Sequence, residues 1–288
     1  MPHRDLMRRS LDGLSVGDAF GERFFVTDER LVLALKHRDV PGRAPWGWTD
    51  DTAMALSVVE VLETHGRLDP DALARAFGRR YTAQPSRGYG AGAHEVLAQL
   101  SLGVPWDTAA RALFEGAGSK GNGAAMRVAP LGAFFADAPL STVVEAAHQS
   151  AAVTHAHPEG QAGAVAVAVA AHALANEEPR SMVWTQVLAR TPHGATRDGL
   201  QRASRLGFDV PTAHAVATLG NGARVLSEDT VPFALWCALK HHDNFREALW
   251  ETVSGLGDRD TTCAIVGGLV ALRDAPPADW LAAREPLS

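Results

Sequence analysis

Apolar positions recur along most of the chain at helical spacing, and the breaks between runs fall on Gly, Pro and Asp. The first run passes through Leu6, Leu11, Leu14 and Val16. Gly13, Gly17 and Gly21 punctuate it, and glycines this dense in a helical pattern predict close backbone packing. Residues 36–46 hold Pro41, Gly42 and Pro45 and read as a loop. A second run follows in Ala53, Met54, Leu56, Val58, Val59, Val61 and Leu62, with Thr49 or Asp50 as N-cap and Gly66 as stop. Asp69 as cap and Pro70 in the first turn predict a helix over residues 69–80. Residues 108–115 are helical in pattern. In residues 162–175 the alternation of Val165, Val167 and Val169 imitates a strand, but length and alanine content favour a buried helix. Residues 190–207 are polar and read as a surface connection or a poor helix. Residues 231–239 read as a core helix carrying Trp236 and Cys237, and Ala264, Ile265, Val266, Leu269, Val270 and Leu272 open the last strong run. The tail from Asp274 holds three prolines and is expected to pack loosely. Strand signals are few, with no βαβ alternation and no fixed-period repeat. The reading is an all-α fold, one orthogonal helical bundle forming a single domain over residues 1–288.

Composition narrows the class. At 46% hydrophobic and 21% charged the chain is an ordinary globular sequence, and a formal net charge of −6 argues against a nucleic-acid partner. The two cysteines, Cys237 and Cys263, lack CxxC spacing, which leaves no disulfide framework and fits a reducing compartment. Residues 1–10 are charged and lack the apolar core of a signal peptide. The longest apolar run is too short to span a bilayer and contains His172. A cytoplasmic monomer with no membrane partner is expected.

Candidate chemistry concentrates at two helix starts. Thr49-Asp50-Asp51-Thr52 sets adjacent carboxylates between threonines at the head of an apolar run. A helix N-terminus carries roughly half a positive charge, which does not neutralise two carboxylates. Hard oxygen ligands call for Mg²⁺, Mn²⁺ or Ca²⁺, although simple capping accounts for this stretch equally well alone. Gly257-Asp258-Arg259-Asp260-Thr261-Thr262 repeats the arrangement near the C-terminus. Facing each other, the two starts would supply oxygens for a pair of divalent ions. Asp18, in a small apolar setting, reads as a buried acceptor rather than a ligand, and Glu22 follows one turn later. Glycine turns occur at Arg87-Gly88-Tyr89-Gly90, at 116–123 and at Gly220-Asn221-Gly222. The second contains GxGxxG formally, but no strand precedes it, and Asn122 stands where a P-loop needs lysine. As a glycine loop opening a helix, it suits an anion such as a diphosphate. His155 and His157 lack a third metal ligand nearby and read as hydrogen-bonding groups towards a ligand or a cap.

Taken in order, Gly17-Asp18-Ala19, Thr49-Asp50-Asp51-Thr52, Arg87-Gly88-Tyr89-Gly90, Gly121-Asn122-Gly123-Ala124-Ala125-Met126-Arg127, Thr154-His155, Gly220-Asn221-Gly222 and the Gly257–Thr262 stretch resemble the ADP-ribosylglycohydrolases. The resemblance implies an all-helical hydrolase with two Mg²⁺ or Mn²⁺ ions held by Thr49, Asp50, Asp51, Asp258, Asp260 and Thr261. It implies a substrate groove along Arg87, Gly88, Tyr89, Gly90, Ser119, Gly121, Asn122, Gly123, Met126, His155 and Asn221, with serine-linked, poly- or O-acetyl-ADP-ribose favoured and arginine-linked conjugates open. Many members carry a glutamate where this chain has Phe25. Glu22, three residues earlier and on nearly the same helical face, is the candidate substitute. Catalysis is expected from Asp50, Asp51 and Glu22, through the oxocarbenium-like state of glycoside hydrolysis. The rival readings are an ADP-ribose-binding module without turnover and a two-metal phosphohydrolase.

Overall fold

The computed structural model describes residues 3–287; Met1, Pro2 and Ser288, the ends of the expected 1–288 domain, lie outside the described residues. Helices account for nearly all its regular structure. The first six are α1 (Arg4–Glu22), α2 (Asp28–His37), α3 (Asp50–His65), α4 (Pro70–Ala83), α5 (Ala91–Ser101) and α6 (Trp106–Ala112). Then come α7 (Gly123–Met126), α8 (Ala129–Phe134), α9 (Leu140–Ala152), α10 (Pro158–Ala175), α11 (Arg180–Arg190) and α12 (Ala195–Arg205). The chain closes with α13 (Thr212–Leu219), α14 (Ser227–Lys240), α15 (Phe245–Ser254), α16 (Arg259–Val270) and α17 (Ala278–Ala283). Among the described residues, no helix is long and apolar enough to cross a membrane.

The glycines of α1 explain its place. A Cβ at Gly13, Gly17 or Gly21 would lie 2.3, 2.0 and 2.2 Å from the carbonyl oxygens of Gly267, Cys263 and Arg259. Spaced four apart, these glycines line one face of α1 and let the backbone of α16 close onto it. This contact carries the start of α16, with Asp258 and Asp260, to the C-terminal half of α1. The alanine- and valine-rich α10 is the central post of the core: Ala164 to Ala171 are all fully buried, so the helix reading of that run holds.

Two expectations change, and one element is new. Residues 195–205, read as a surface connection or poor helix, form α12, with Thr196, Gly199, Leu200 and Ala203 buried. Small residues supply its apolar face, which weakens the sequence signal. Helix α2 falls in a stretch with no element assigned from sequence. The tail does not pack loosely. Trp46 N–H donates to Ala283 O at 2.6 Å and Glu285 N–H to Trp46 O at 2.8 Å, so the last residues strap the loop that leads into α3. Trp280 of α17 stacks on Phe20 at 4.7 Å between ring centroids.

Candidate active site

Asp18 is the buried hub that joins α1 to the head of α3. It accepts the Thr49 N–H at 2.9 Å, the Thr52 N–H at 3.1 Å and the Thr49 hydroxyl at 2.8 Å, and takes a further short bond from the Thr52 hydroxyl. Thus the acceptor reading of Asp18 holds, and its partners are the threonines flanking Asp50 and Asp51. The capping account of the first stretch does not hold, because Thr49 occupies the N-cap position without a side-chain capping bond. Asp258 caps α16 by position, also without a side-chain bond, and is held elsewhere: its N–H donates to Asn221 O at 3.1 Å and its Oδ2 accepts from Asn122 Nδ2 at 2.7 Å.

The resulting cluster is acidic, with Asp18, Asp50 and Asp51 buried and Asp258 and Asp260 half-buried. Burial, then the charge of Asp18 and Asp260, pushes the carboxyls of Asp50 and Asp51 well above the ordinary range. Burial and Asp260 raise Asp258 to about 8, and burial raises Asp18 to about 7 against the threonine hydrogen bonds. Two features show that protein groups alone do not satisfy the cluster. Asp51 Oδ1 is buried with no hydrogen-bond partner. The Thr49 hydroxyl lies 2.8 Å from Asp18 Oδ1 and 3.0 Å from Asp51 Oδ2, and its one hydrogen cannot serve both once both are ionised. Among the described residues, no three His, Cys, Asp or Glu side chains are gathered as a ready chelate. Mutual repulsion of like charges favours that spreading, and a hard divalent cation would remove it. The donor set, carboxylates and hydroxyls without sulfur or imidazole, fits Mg²⁺ or Mn²⁺.

An open cleft of about 530 Å³ lies against this cluster, lined by Glu22, Arg23, Phe25, Gly47, Trp48, Thr49, Ser86, Arg87, Gly88 and Asp260. Burial and the charge of Asp260 raise the Glu22 carboxyl. Phe25 shares this wall with Glu22, and the Arg259 guanidinium sits 4.5 Å over its ring. Gly88 adopts φ +85°, and a Cβ there would lie 3.9 Å from Asp50 Oδ1. Arg87 lines the cleft, but its guanidinium is engaged: it pairs with both oxygens of Glu285 at 2.8 and 2.9 Å and lies 3.4 Å over the Trp48 ring. Tyr89 is buried edge-on against Tyr81 and His94, and burial pushes its hydroxyl up to about 12. Gly90 is the N-cap of α5.

The glycine loop and His155 lie outside the residues lining that cleft. Several loop groups are already paired. Gly121 N–H donates to Ser119 Oγ at 3.1 Å, Asn122 N–H to Val225 O at 3.3 Å, and Asn122 Nδ2 also to Thr230 Oγ1 at 3.0 Å. Met126 is a buried core residue. Asn221 Nδ2 donates to Gly255 O at 2.8 Å, which leaves that amide a turn-forming role beside Asp258. A Cβ on Gly123 would stand 3.1 Å from His155 Cε1, so the bare glycine leaves the imidazole edge open. His157 is the cap of α10, its Nδ1 accepting the Glu159 N–H at 3.1 Å.

Sequence reasoning passed over Glu285, and named Trp48, Arg127 and Arg259 only within their motifs, without a role. For Arg259, its place between Asp258 and Asp260 was a usable signal; a glutamate in a proline-bearing tail offers none.

Residues 1–286 match the model of the family described as ADP-ribosylglycohydrolase. Among known proteins, the human protein named ADP-ribosylhydrolase ARH3 (Homo sapiens) is 31% identical over 321 residues, covering 95% of this chain and 87% of its own. The protein of the same name from Gallus gallus is 29% identical over 323 residues, covering 96% and 87%. A solved chain named as an ADP-ribosylglycohydrolase-related protein complex shares the fold, with a TM-score of 0.70 at 24% identity over 98% of this chain and 93% of that one.

Proposed function

The chain belongs to the ADP-ribosylglycohydrolase family, and we propose that its buried aspartates and the adjoining cleft are the site at which it hydrolyses ADP-ribose conjugates. It is a glycosidase, and the family depends on divalent metal. In our reading Thr49, Asp50, Asp51, Asp258, Asp260 and Thr261 hold two ions, Mg²⁺ or Mn²⁺. When bound, such ions fix hydroxyl oxygens and lower the pKa of water. The observation that carries this reading is the unpartnered, fully buried Asp51 Oδ1 amid four further carboxylates, Asp18, Asp50, Asp258 and Asp260.

The remaining roles belong to the protein. Asp18 sets Thr49 and Thr52 and thereby aims Asp50 and Asp51. Asn122 and the carbonyl of Asn221 aim Asp258. Asp50 or Asp51 accepts the proton of the attacking water as the glycosidic bond opens. Glu22, holding its proton to higher pH than an ordinary glutamate, lines the same cleft and is suited to exchange a proton with the leaving group. The glycine loop and His155 receive the ADP-ribose part. Serine-linked, poly- and O-acetyl-ADP-ribose are the favoured conjugates, on the Arg87–Gly90 and Gly121–Ala129 stretches, with arginine-linked conjugates second.

Incubating the protein with serine- and arginine-linked ADP-ribosyl peptides in Mg²⁺, Mn²⁺ or chelator tests this. Free ADP-ribose, released from the serine-linked peptide faster and only with metal, is the expected product. Release of AMP or phosphate would point instead to a phosphohydrolase.

A further inference from the structure

Arg127 is fully buried, yet the hydrogen bonds of its guanidinium go to neutral partners. It lies 4.6 Å over the Phe77 ring, its Nε has no partner, and its Nη2 donates to Ser150 O and to Thr154 Oγ1, both at 2.9 Å. A buried cation without a paired anion is costly, which asks what it does there. The next bond gives the answer: Thr154 Oγ1 lies 2.7 Å from His155 Nδ1.

The direction of these bonds is fixed by what each group can do. Guanidinium only donates, so the Thr154 oxygen accepts from Arg127. Its single hydrogen is then directed to His155 Nδ1, which must be a bare acceptor. The imidazole therefore carries its hydrogen on Nε2. Were Nδ1 protonated, the hydroxyl would receive two donors and its own hydrogen would need another acceptor; none is found among the described residues. Burial and the Arg127 charge also hold the imidazole neutral, down to about 3. The ring is clamped: a Cβ at Gly160 would meet its Cδ2 at 3.0 Å, while Nε2 stands 3.4 Å from the Cβ positions of both Gly121 and Gly123. Nε2 has no hydrogen-bond partner among the described residues and faces Gly121 and Gly123 of the glycine loop.

We propose that Arg127 is a positioning residue: through the Thr154 hydroxyl it locks His155 in the Nε2–H tautomer, so that the ring offers a hydrogen-bond donor to an oxygen of ADP-ribose at the glycine loop. The placement of the ligand rests on the reading above; the tautomer does not.

Nitrogen-15 spectra of histidine-labelled protein without ligand test the tautomer, with the His155 signals assigned by their loss in His155→Gln. Wild type should show a protonated Nε2 and a bare Nδ1. Thr154→Val removes the relay while keeping the side-chain shape. It should give a tautomer mixture and weaken free ADP-ribose binding about tenfold by calorimetry, the loss of one good hydrogen bond. Thr154→Ser should restore both, and Arg127→Met should repeat the effect of Thr154→Val; if that variant does not fold, the Thr154 pair decides. An Nδ1–H tautomer in wild type overturns the proposal. A changed tautomer with unchanged affinity overturns the donor role at the ligand. A wild type that shows the Nε2–H pattern but binds no ADP-ribose overturns the reading of the site and leaves the relay standing.

Discussion

Replacing Asp18 with asparagine and with alanine separates the charge of this carboxylate from its hydrogen bonds. With an amide NH₂ at the position of Oδ1, the remaining oxygen at Oδ2 still lies 2.9 Å from the Thr49 N–H and 3.1 Å from the Thr52 N–H. The Thr49 hydroxyl would accept from the new amide and donate to Asp51 Oδ2, now 3.0 Å away, which resolves the shared hydrogen. One buried charge facing Asp50, Asp51 and Asp260 also disappears. At pH 8 the wild-type group is ionised, since its raised value is about 7, so the metal-free protein bears the cost of that charge. Asp18→Asn should therefore match or exceed wild-type stability in chelator. Asp18→Ala relieves the same repulsion but orphans the Thr49 and Thr52 N–H groups. At about 1–3 kcal/mol for each buried unsatisfied donor, it should fall roughly 2–6 kcal/mol below Asp18→Asn. Urea unfolding of the three proteins at pH 8 in EDTA, compared at equal m-values, measures this. Equal losses for the two variants would refute the assignment of Asp18 as a hydrogen-bond hub whose charge is dispensable to the fold.

Gly123→Val would press against His155, whose Cε1 lies 3.1 Å from the new Cβ; ADP-ribose affinity should fall at least about tenfold with Mn²⁺ affinity unchanged, both read by calorimetry. Glu285→Gln breaks the fork that holds Arg87 over Trp48, and should cost about 0.5–2 kcal/mol and speed limited proteolysis of residues 38–49. In Glu251, hydrogen bonds from His241, Thr212 and Lys240 outweigh burial and hold the carboxyl down to about 2. Its folded value is depressed, so its contribution is complete above the unfolded value near 4.3 and is lost as pH falls towards 2. The stability gap between wild type and Glu251→Gln should close across that window in urea titrations.

The starts of α3 and α16 were legible because a cap, adjacent carboxylates and an apolar period are all local signals. Helix α10 was legible by length despite its strand-like alternation. The glycines of α1 announced a close contact but not its partner, since α16 lies some 250 positions away along the chain. For the same reason the motifs could name Asn122 and Asn221 without showing that their groups support Asp258. Arg87 reads as a ligand-facing cation until Glu285 is seen beside it. In the sequence Arg127 is only the last residue of the Gly121–Arg127 motif, and packing alone reveals a buried guanidinium acting on Thr154. Helix α12 was hidden because glycine, threonine and alanine pack well without looking apolar.

Anomalous diffraction at the manganese edge, on crystals grown in millimolar Mn²⁺, tests the central claim most directly. Two peaks are expected between the heads of α3 and α16, with Asp51 Oδ1 and an oxygen of Asp260 at roughly 2.1–2.2 Å from metal. They should be absent in Asp260→Asn crystals, whose protein should release no ADP-ribose from the serine-linked peptide. An ordered site with no manganese between those carboxylates, in a protein that still releases ADP-ribose, would contradict it.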